Sequence, residues 1–423
     1  MKKTFTVLSL TFAFLLIVSD CPAQSGVWEE LKPTNSPLPR LAFGMAEIGD
    51  GKVLIFGGED NTKKQDETWI YDYNENTWTQ INNDIHPDKR YNLIMARITK
   101  NKVLMFGGWN PSGLIEAGYY NDTWLFDLET LQWTEVKPEI KPSPRRSFGL
   151  AQLMDGKVLL FGGDTVAANY ANDTWLFDID SNNWQRIPNG ISTRPPECEA
   201  GMMAQIDTGK ILYYGGFYSK RLDETWLFDY NVKKWIKIEP KLKSVPIAGS
   251  SMAGIRKNEV VFWGGDLDSY GHYDELWLFD LIDSSWKNIQ TNIKPDGRYA
   301  HQIVNFDENM IFLFGGLNNQ KNRWHNDTWL FTLKTDYVND NVSGGKKKNN
   351  LYVTNNFIRL NVNYAGLVNY KIYDIYGRTV KESNKELIDE YFTINLSDLT
   401  NGLYFLNVQM NKKTEIFKLL IDK

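Results

Sequence analysis

The sequence predicts an all-β protein, in which a six-bladed β-propeller closed by an N-terminal strand precedes a small, immunoglobulin-like β-sandwich. Adjacent glycines recur six times between residues 57 and 316, every 49 to 55 positions. They stand at 57/58, 107/108, 162/163, 215/216, 264/265 and 315/316. A tryptophan follows each pair, at Trp69, Trp124, Trp175, Trp226, Trp277 and Trp329, and a second stands nine residues after the first five, at Trp78, Trp133, Trp184, Trp235 and Trp286. A repeat of about 50 residues is typical of a propeller or a solenoid.

Each repeat is predicted to form four short antiparallel strands. In the third copy these strands are 148–153, 157–161, 174–178 and 184–187. The Asp155-Gly156 pair between the first two is a strong hairpin signal. The second strand is almost continuously apolar in every copy, as expected of a strand buried on both faces.

The two ends of the repeat region predict how the ring closes. The sixth copy has a third strand at 327–331, but Val338 stands where the other copies carry their second tryptophan. The missing fourth strand is matched by residues 26–31, which include Trp28. A strand from the N-terminus would therefore complete the last sheet and leave only short edges.

The glycine pair, the following Trp-x-Phe/Tyr-Asp segment and the spaced second tryptophan resemble kelch repeats. The resemblance covers Val27 to about Leu333 and recurs six times, so it is specific for the fold. It implies much less about function, because kelch propellers serve as enzymes, adhesion modules and adaptors.

Residues 351–423 follow a polar linker at 334–350 and have a different pattern. Their motifs are Tyr373-Asp374 with Gly377-Arg378, Leu399 with Gly402-Leu403-Tyr404, and the closing Lys418-Leu419-Leu420-Ile421. These motifs resemble the C-terminal sorting domain of the type IX secretion system of Bacteroidetes, which implies export to the medium or to the outer-membrane surface of a Gram-negative cell. The alternative is an ordinary fibronectin-like or immunoglobulin-like spacer.

Residues 1–23 are expected to be a secretory signal peptide. Lys2 and Lys3 precede the apolar run 5–18, and cleavage after Ala23 fits the flanking residues. The alternative is a lipoprotein anchored through Cys21. The propeller domain is then expected at 24–333. No other apolar run is long enough to cross a bilayer, and the net charge of −5 with no basic stripe excludes a nucleic-acid footprint.

Function is expected on one face of the propeller, here called the long-loop face. It carries the loops that join neighbouring blades and the variable loops between second and third strands, whereas the opposite turn face carries short, regular turns. Binding residues concentrate on such variable loops.

One position, 17 residues before each glycine pair and here called the matched position, carries candidate ligand-binding residues. It holds Arg40, Arg90, Arg145, Cys198, Ile247 and Arg298. The four arginines come from contiguous blades, and a guanidinium fork suits a carboxylate or phosphate. Glu197 and Glu199 lie opposite. The alternative is that the arginines brace adjacent blades through backbone carbonyls.

Aromatic residues in the long loops are the second set of candidates. The set is Trp109, Tyr119, Tyr120, Tyr170, Phe217, Tyr218, Tyr270, Tyr273 and Trp324, of which Trp109, Tyr218, Tyr273 and Trp324 are the preferred ligand contacts. Tyrosine and tryptophan give a large contact area and tolerate a half-wet surface, so this rim could stack on sugar rings or dock a protein. Some of these side chains are expected merely to pack their own loops.

Catalytic chemistry is weakly indicated. No two of the four histidines have the spacing of metal ligands, so neither a metal site nor a cofactor is expected. We therefore expect a secreted or surface-bound interaction module for a glycan or a protein. The alternative is an enzyme acting on an acidic sugar. The resemblance to sialic-acid mutarotases, which are six-bladed kelch proteins, would then give an acid–base role to Glu197 or Glu199.

Overall fold

The fold is known from a computed structural model of the chain. It describes residues 25–112, 118–166, 169–188, 194–267, 271–334, 351–353, 357–361, 366–387, 391–396, 398–410 and 413–421. These residues form antiparallel β-sheets and contain no α-helix, which confirms the predicted all-β class. The expected signal peptide and all but the first residue of the expected linker lie outside the described residues.

Six four-stranded sheets follow one another along the repeats, with strands numbered β1 to β40 in chain order. Sheet 1 contains β2 (Gly44–Gly49), β3 (Lys52–Phe56), β4 (Thr68–Asp72) and β5 (Thr77–Ile81). Sheet 2 contains β6 (Ile94–Thr99), β7 (Lys102–Phe106), β8 (Thr123–Asp127) and β9 (Gln132–Val136). Sheet 3 contains β11 (Gly149–Met154), β12 (Lys157–Phe161), β15 (Thr174–Asp178) and β16 (Asn183–Ile187).

The second half of the repeat region is built in the same way. Sheet 4 contains β17 (Met202–Asp207), β18 (Lys210–Tyr214), β21 (Thr225–Asp229) and β22 (Lys234–Ile238). Sheet 5 contains β23 (Ser251–Arg256), β24 (Glu259–Trp263), β27 (Leu276–Asp280) and β28 (Ser285–Ile289). Sheet 6 contains β29 (Gln302–Asp307), β30 (Met310–Phe314), β33 (Thr328–Leu333) and, as its outer strand, β1 (Gly26–Leu31).

Short strands extend the loops beyond these sheets. They are β10 (Arg145–Arg146), β13 (Asp164–Thr165) and β14 (Asn169–Tyr170) beside sheet 3, β19 (Phe217–Tyr218) and β20 (Lys220–Arg221) beside sheet 4, β25 (Asp266–Leu267) and β26 (Gly271–His272) beside sheet 5, and β31 (Leu317–Asn318) and β32 (Arg323–Trp324) beside sheet 6. All of them lie between the second and third strands of a repeat or just before its first strand. Within the described residues, the two arms of the long loops of sheets 3 to 6 therefore pair as short hairpins.

The pairing of β1 with β33 confirms the predicted closure. The ladder runs from Gly26 opposite Leu333 to Leu31 opposite Thr328. Trp28 is buried, and its ring lies 5.2 Å from that of Phe331. The first strand of each sheet also contacts the first strands of both neighbouring sheets in a closed cycle, so the six sheets surround a central channel.

The second tryptophan of each repeat packs against the preceding sheet and bonds to it. In five sheets its Nε1 donates to a threonine hydroxyl of that neighbour: Trp78 to Thr328, Trp133 to Thr68, Trp184 to Thr123, Trp235 to Thr174 and Trp286 to Thr225. Trp28 is the exception. Leu276 occupies the threonine position of sheet 5, and the buried Nε1 of Trp28 has no acceptor among the described residues.

Both glycines of each of the six repeat pairs have positive φ. A Cβ on Gly57 would lie 2.8 Å from the carbonyl oxygen of Arg90 in the next sheet. The N–H of Gly58 donates to that same oxygen at 2.9 Å. Glycine is therefore required because the backbones of neighbouring sheets meet here.

The C-terminal region forms two further antiparallel sheets. The three-stranded sheet contains β34 (Leu351–Val353), β35 (Phe357–Asn361) and β38 (Tyr391–Asn395). The four-stranded sheet contains β36 (Gly366–Asp374), β37 (Thr379–Leu387), β39 (Gly402–Met410) and β40 (Lys413–Ile421). Ile358 and Ile394 of the first sheet belong to one buried cluster with Ile372 and Leu406 of the second.

The sequence motifs of this region serve its turns. Asp374 Oδ1 accepts hydrogen bonds from the N–H groups of Tyr376 and Arg378 at 2.9 and 3.0 Å, and Gly377 supplies a positive φ between them. Tyr404 donates its hydroxyl to the carbonyl oxygen of Thr400 at 2.9 Å. Within the described ranges, no helix is long and apolar enough to cross a membrane.

Candidate functional site

The long-loop face is built from three residues of each repeat, joined as a small antiparallel ladder. The innermost residue directly follows the matched position, and it pairs with a middle residue that directly follows the glycine pair. The middle residue pairs in turn with an outer residue on the returning arm of the loop. The innermost members are Leu41, Tyr91, Arg146, Glu199, Ala248 and Tyr299; the middle members are Glu59, Trp109, Asp164, Phe217, Asp266 and Leu317; the outer members are Lys64, Tyr119, Tyr170, Arg221, His272 and Trp324. The surface therefore differs in chemistry from sheet to sheet on one repeated backbone.

A closed ring of six backbone hydrogen bonds lies at the base of this face. Its members each donate an N–H to the carbonyl of the preceding member, at 2.7 to 3.2 Å, and all six have positive φ. This backbone ring consists of Ala42, Asn92, Ser147, Ala200, Gly249 and Ala300. It encircles the channel just before the first strands begin.

The four arginines at the matched position are buried, which corrects the expectation that they face a ligand. Each guanidinium bonds to the first glycine carbonyl of its own repeat and to a carboxylate just before the third strand. The ion pairs are Arg40 with Glu67, Arg90 with Asp122, Arg145 with Asp173 and Arg298 with Asp327. Their own carbonyl oxygens accept the N–H of the second glycine in the preceding sheet. The arginines therefore serve the scaffold, as in the alternative left open above, but their guanidinium groups bind within one repeat. The link to the preceding sheet is made by the backbone, as it also is at Cys198 and Ile247.

Cys198 and Ile247 occupy the same backbone position without a guanidinium. The Sγ of Cys198 lies 2.8 Å from the hydroxyl oxygen of Tyr213 inside the core. Burial, more than the charge of the neighbouring glutamates, raises the pKa of the Cys198 thiol to about 11. This cysteine is therefore a packed core residue.

Arg146 is the centre of a charged and aromatic cluster on sheets 2 and 3. Its Nε donates to Asp164 Oδ2 at 2.7 Å, and the hydroxyl of Tyr119 donates to the same oxygen at 2.8 Å. The guanidinium carbon lies 4.3 Å from the ring centroid of Trp109. The Trp109 ring in turn lies 5.3 Å from that of Tyr91. Burial and the bond to Asp164 raise the pKa of Tyr119 to about 12, so its hydroxyl stays a donor.

Glu199 and two tyrosines extend this cluster onto sheet 4. The hydroxyls of Tyr170 and Ser147 interact with the Glu199 carboxyl. Burial, and then the charge of Asp164, raise the pKa of Glu199 above its ordinary value. The ring of Tyr170 meets that of Tyr218 edge-on at 5.9 Å, and Tyr218 is 43% exposed. Sheets 2 to 4 thus present one continuous patch of aromatic, acidic and basic side chains.

The structure does not bring the other candidates into this patch. Tyr273 donates its hydroxyl to Glu275 at 2.7 Å and accepts the Nε1 of Trp277, so it packs its own loop. Trp324 packs with Leu41 and Leu317 between sheets 6 and 1. Glu197 is exposed and forms no ion pair within the described part of the chain. Tyr270 lies outside the described residues.

The sequence reasoning missed Arg146, Asp164 and Tyr91. The sequence could have indicated Arg146, because the side chains of successive residues in an extended backbone point to opposite sides. If the matched arginine is buried, the following residue must face the loops. The position after Arg145 was therefore a better candidate than Arg145.

A second concave site lies in the central channel, on the other side of the backbone ring. A cavity of about 1000 Å³ is lined by the six first strands and extends to turn-face residues such as Lys100 and Thr208. Its wall mixes apolar and polar side chains, the latter including Glu47, Arg97 and Arg256. Each sheet contributes one apolar residue at the third position of its first strand: Ala46, Ala96, Ala151, Ala204, Ala253 and Val304. Among the described residues, no group of three or more His, Cys, Asp or Glu side chains could hold a metal ion.

Repeated four-stranded sheets around a channel, with variable hairpins on one face, define a repeat scaffold of the β-propeller class. A kelch-repeat model described as the KLHDC2/KLHL20/DRC7 Kelch-repeats domain matches residues 16–163 and 85–257, which together make up more than half of the chain. The chain belongs to the kelch-repeat family. Such repeats indicate an interaction module.

Several curated proteins are similar to this chain over about half to two thirds of its length. An F-box/kelch-repeat protein of Arabidopsis thaliana is 24% identical over 335 residues, 68% of this chain and 68% of that protein. Kelch domain-containing protein 3 of Homo sapiens is 24% identical over 55% of this chain and 65% of its own length. Adagio-like protein 1 of Oryza sativa is 28% identical over 63% of this chain but 46% of its own length.

The C-terminal region matches a second family. Residues 352–422 fit the secretion system C-terminal sorting domain. This match confirms the resemblance found in the sequence and indicates export by a type IX secretion system of the Bacteroidetes type.

Proposed function

We propose that the chain is an exported binding module, and that its ligand, a glycan or a protein, docks on the long-loop face over sheets 2 to 4. One observation carries this proposal: five aromatic side chains from three adjacent sheets collect on one side of the backbone ring. They are Tyr91, Trp109, Tyr119, Tyr170 and Tyr218. Half-buried tyrosine and tryptophan provide contact area at low entropic cost, which favours binding.

The division of the chain follows from the same proposal. Residues 1–23 direct export, residues 24–333 form the binding domain, and residues 334–350 link it to the sorting domain at 351–423. The sorting domain engages the type IX machinery and brings the binding domain to the outer-membrane surface or into the medium of a Gram-negative bacterium. The kelch and sorting-domain matches support this arrangement.

An enzyme acting on an acidic sugar is the second candidate. The observation that favours it is the Glu199 carboxyl, whose pKa is raised by burial and by Asp164 while Arg146 stands nearby. A carboxyl with a raised pKa keeps its proton to a higher pH than an ordinary glutamate, which favours a role as general acid. Glu199→Gln should then abolish turnover of an acidic sugar while binding persists. Unchanged turnover would remove this candidate.

The binding proposal is tested by a screen of the full chain against glycan and protein arrays. Trp109→Ala and Tyr218→Ala should each weaken the strongest interaction about tenfold or more, as expected when an aromatic anchor is removed. Ile282→Ala is the matched control, because Ile282 is 81% exposed on the turn face. Unchanged binding by both aromatic variants, with loss in the control, would place the ligand elsewhere.

A further inference from the structure

We propose that Arg146 recognises the carboxylate of an acidic sugar. This inference rests on the proposed binding face and names the chemical class of its ligand. Arg146 lies on the innermost set of that face, next to Ser147 of the backbone ring and opposite Asp164 in the short β10–β13 ladder.

The guanidinium of Arg146 is held on one edge and open on the other. Asp164 takes its Nε, while Trp109 and Tyr119 lie 4.3 and 5.4 Å from the guanidinium carbon. Neither Nη group donates a hydrogen bond to any residue that the structure describes, and the side chain is 23% exposed. The adjacent Arg145 differs in burial and in the use of its donors, because it is fully buried and makes five hydrogen bonds within its own repeat.

An arginine in this state is prepared to bind a carboxylate. The two Nη groups form a planar fork that matches both carboxylate oxygens. The bond to Asp164 and the aromatic ring of Trp109 already fix the side chain, so binding loses little rotamer freedom. The aromatic surface also excludes water on one side, which strengthens the ion pair.

The surroundings of Arg146 suit a sugar ring. Tyr170 and Tyr218 present ring edges and faces within the same patch, and these can cover the apolar side of a pyranose. The hydroxyl of Ser147 and the carboxyl of Glu199 supply polar partners for sugar hydroxyls. A charged group on the ligand is expected at Arg146 and neutral hydroxyls beside it.

The test uses an array of uronic-acid and sialic-acid glycans, each beside its methyl ester. Esterification keeps the sugar skeleton and removes the negative charge. The full chain should bind at least one acidic glycan about tenfold more tightly than its ester, the typical value of one charge-assisted contact. Arg146→Ala should abolish this preference, and Arg146→Lys should weaken it because the fork is lost.

The matched control is Arg323→Ala. Arg323 lies on the same face in sheet 6, is 60% exposed and bonds Asp296, so its removal changes net charge equally. The affinities of the Arg323→Ala variant for the acids and their esters should stay within about twofold of those of the unaltered chain. Equal binding of acids and esters, or an unchanged preference in Arg146→Ala, would overturn the inference while leaving the aromatic binding face intact. Binding of proteins but no glycan would also overturn it. No ligand at all would overturn both proposals.

Discussion

The backbone N–H of Ala42 donates a hydrogen bond of 2.8 Å to the carbonyl oxygen of Ala300. This bond joins sheet 1 to sheet 6 and completes the backbone ring around the channel. The β1–β33 ladder joins the same two ends of the repeat region at the outer edge of sheet 6. The seam of the ring is therefore tied both near the axis and at the rim.

The first prediction concerns the backbone ring. Ala42 is buried and has a φ of 54°, a conformation that β-branched residues strongly disfavour. Ala42→Val should lower the free energy of unfolding by about 1–3 kcal/mol, while Ala42→Gly should retain stability. Urea unfolding of both variants measures the difference. Equal stability of the two would show that the ring does not constrain this residue.

The second prediction concerns the buried arginines. Arg145→Met leaves Asp173 without its partner and should destabilise the protein by about 3–5 kcal/mol. Arg186→Met, an exposed arginine of sheet 3, should change stability by no more than about 0.5 kcal/mol. Thermal and urea unfolding provide the measurement. An Arg145→Met variant as stable as the unaltered chain would contradict the structural role of Arg145 and leave a role in ligand binding open.

The same ion pair has a pH signature. Burial alone would raise the pKa of Asp173, but the hydrogen bond and charge of Arg145, together with the hydrogen bond from Trp175, outweigh it and the pKa is lowered. A carboxyl with a lowered pKa in the folded state contributes stability above its ordinary pKa of about 4 and loses it as pH falls further. Arg145→Met should therefore lose less stability than the unaltered chain between about pH 5 and pH 2.

The third prediction concerns the tryptophan–threonine contacts between sheets. Thr174→Val removes the acceptor of Trp235 Nε1, now at 2.9 Å, and should cost about 1–3 kcal/mol. Thr332→Val is the matched control, because the buried hydroxyl of Thr332 has no partner among the described residues. That variant should be as stable as the parent or more so. Equal losses in both would show that burial of the hydroxyl, and not its bond, decides stability.

The fourth prediction concerns Glu199 and pH. The charged and titratable groups facing its carboxyl are Arg146, Asp164 and Tyr170 of sheet 3, beside the hydroxyl of Ser147. Because its pKa is raised, Glu199 becomes neutral at a higher pH than an ordinary glutamate and then no longer repels a bound carboxylate. Affinity for an acidic glycan should rise as pH falls from about 7 to about 5. The Glu199→Gln variant should bind the acidic glycan more tightly at pH 7, and its affinity should no longer change with pH. An affinity that still rises as pH falls would show that another group is responsible.

The scaffold could be predicted from the sequence because its determinants recur. Six copies of one pattern fix strand positions, and the absence of a second tryptophan in the last copy, with Trp28 at the start, indicates the closing strand. The missing acceptor of Trp28 could not be foreseen. It depends on which residue of sheet 5 faces that ring, and only the packing between sheets reveals Leu276 there.

The candidate site was harder to predict, for a reason visible at Arg145 and Arg146. The repeated arginine attracted the functional assignment because it recurs, yet recurrence in a repeat protein follows from the scaffold. Arg146 occurs once at its position, where other sheets carry leucine, tyrosine, glutamate or alanine. Variation among repeats at a fixed backbone position was the more informative signal, because residues that face a ligand are not constrained by the packing of the sheets.

Hydrogen exchange of the full chain, measured with and without an acidic glycan selected from the array, is the sharpest test of ligand binding on the long-loop face. We expect slowed exchange at the amides around Trp109, Arg146 and Glu199, with no change on the turn face. Protection confined to turn-face residues around Lys100 and Thr208, at the mouth of the 1000 Å³ cavity, would contradict it and move the binding site into the channel.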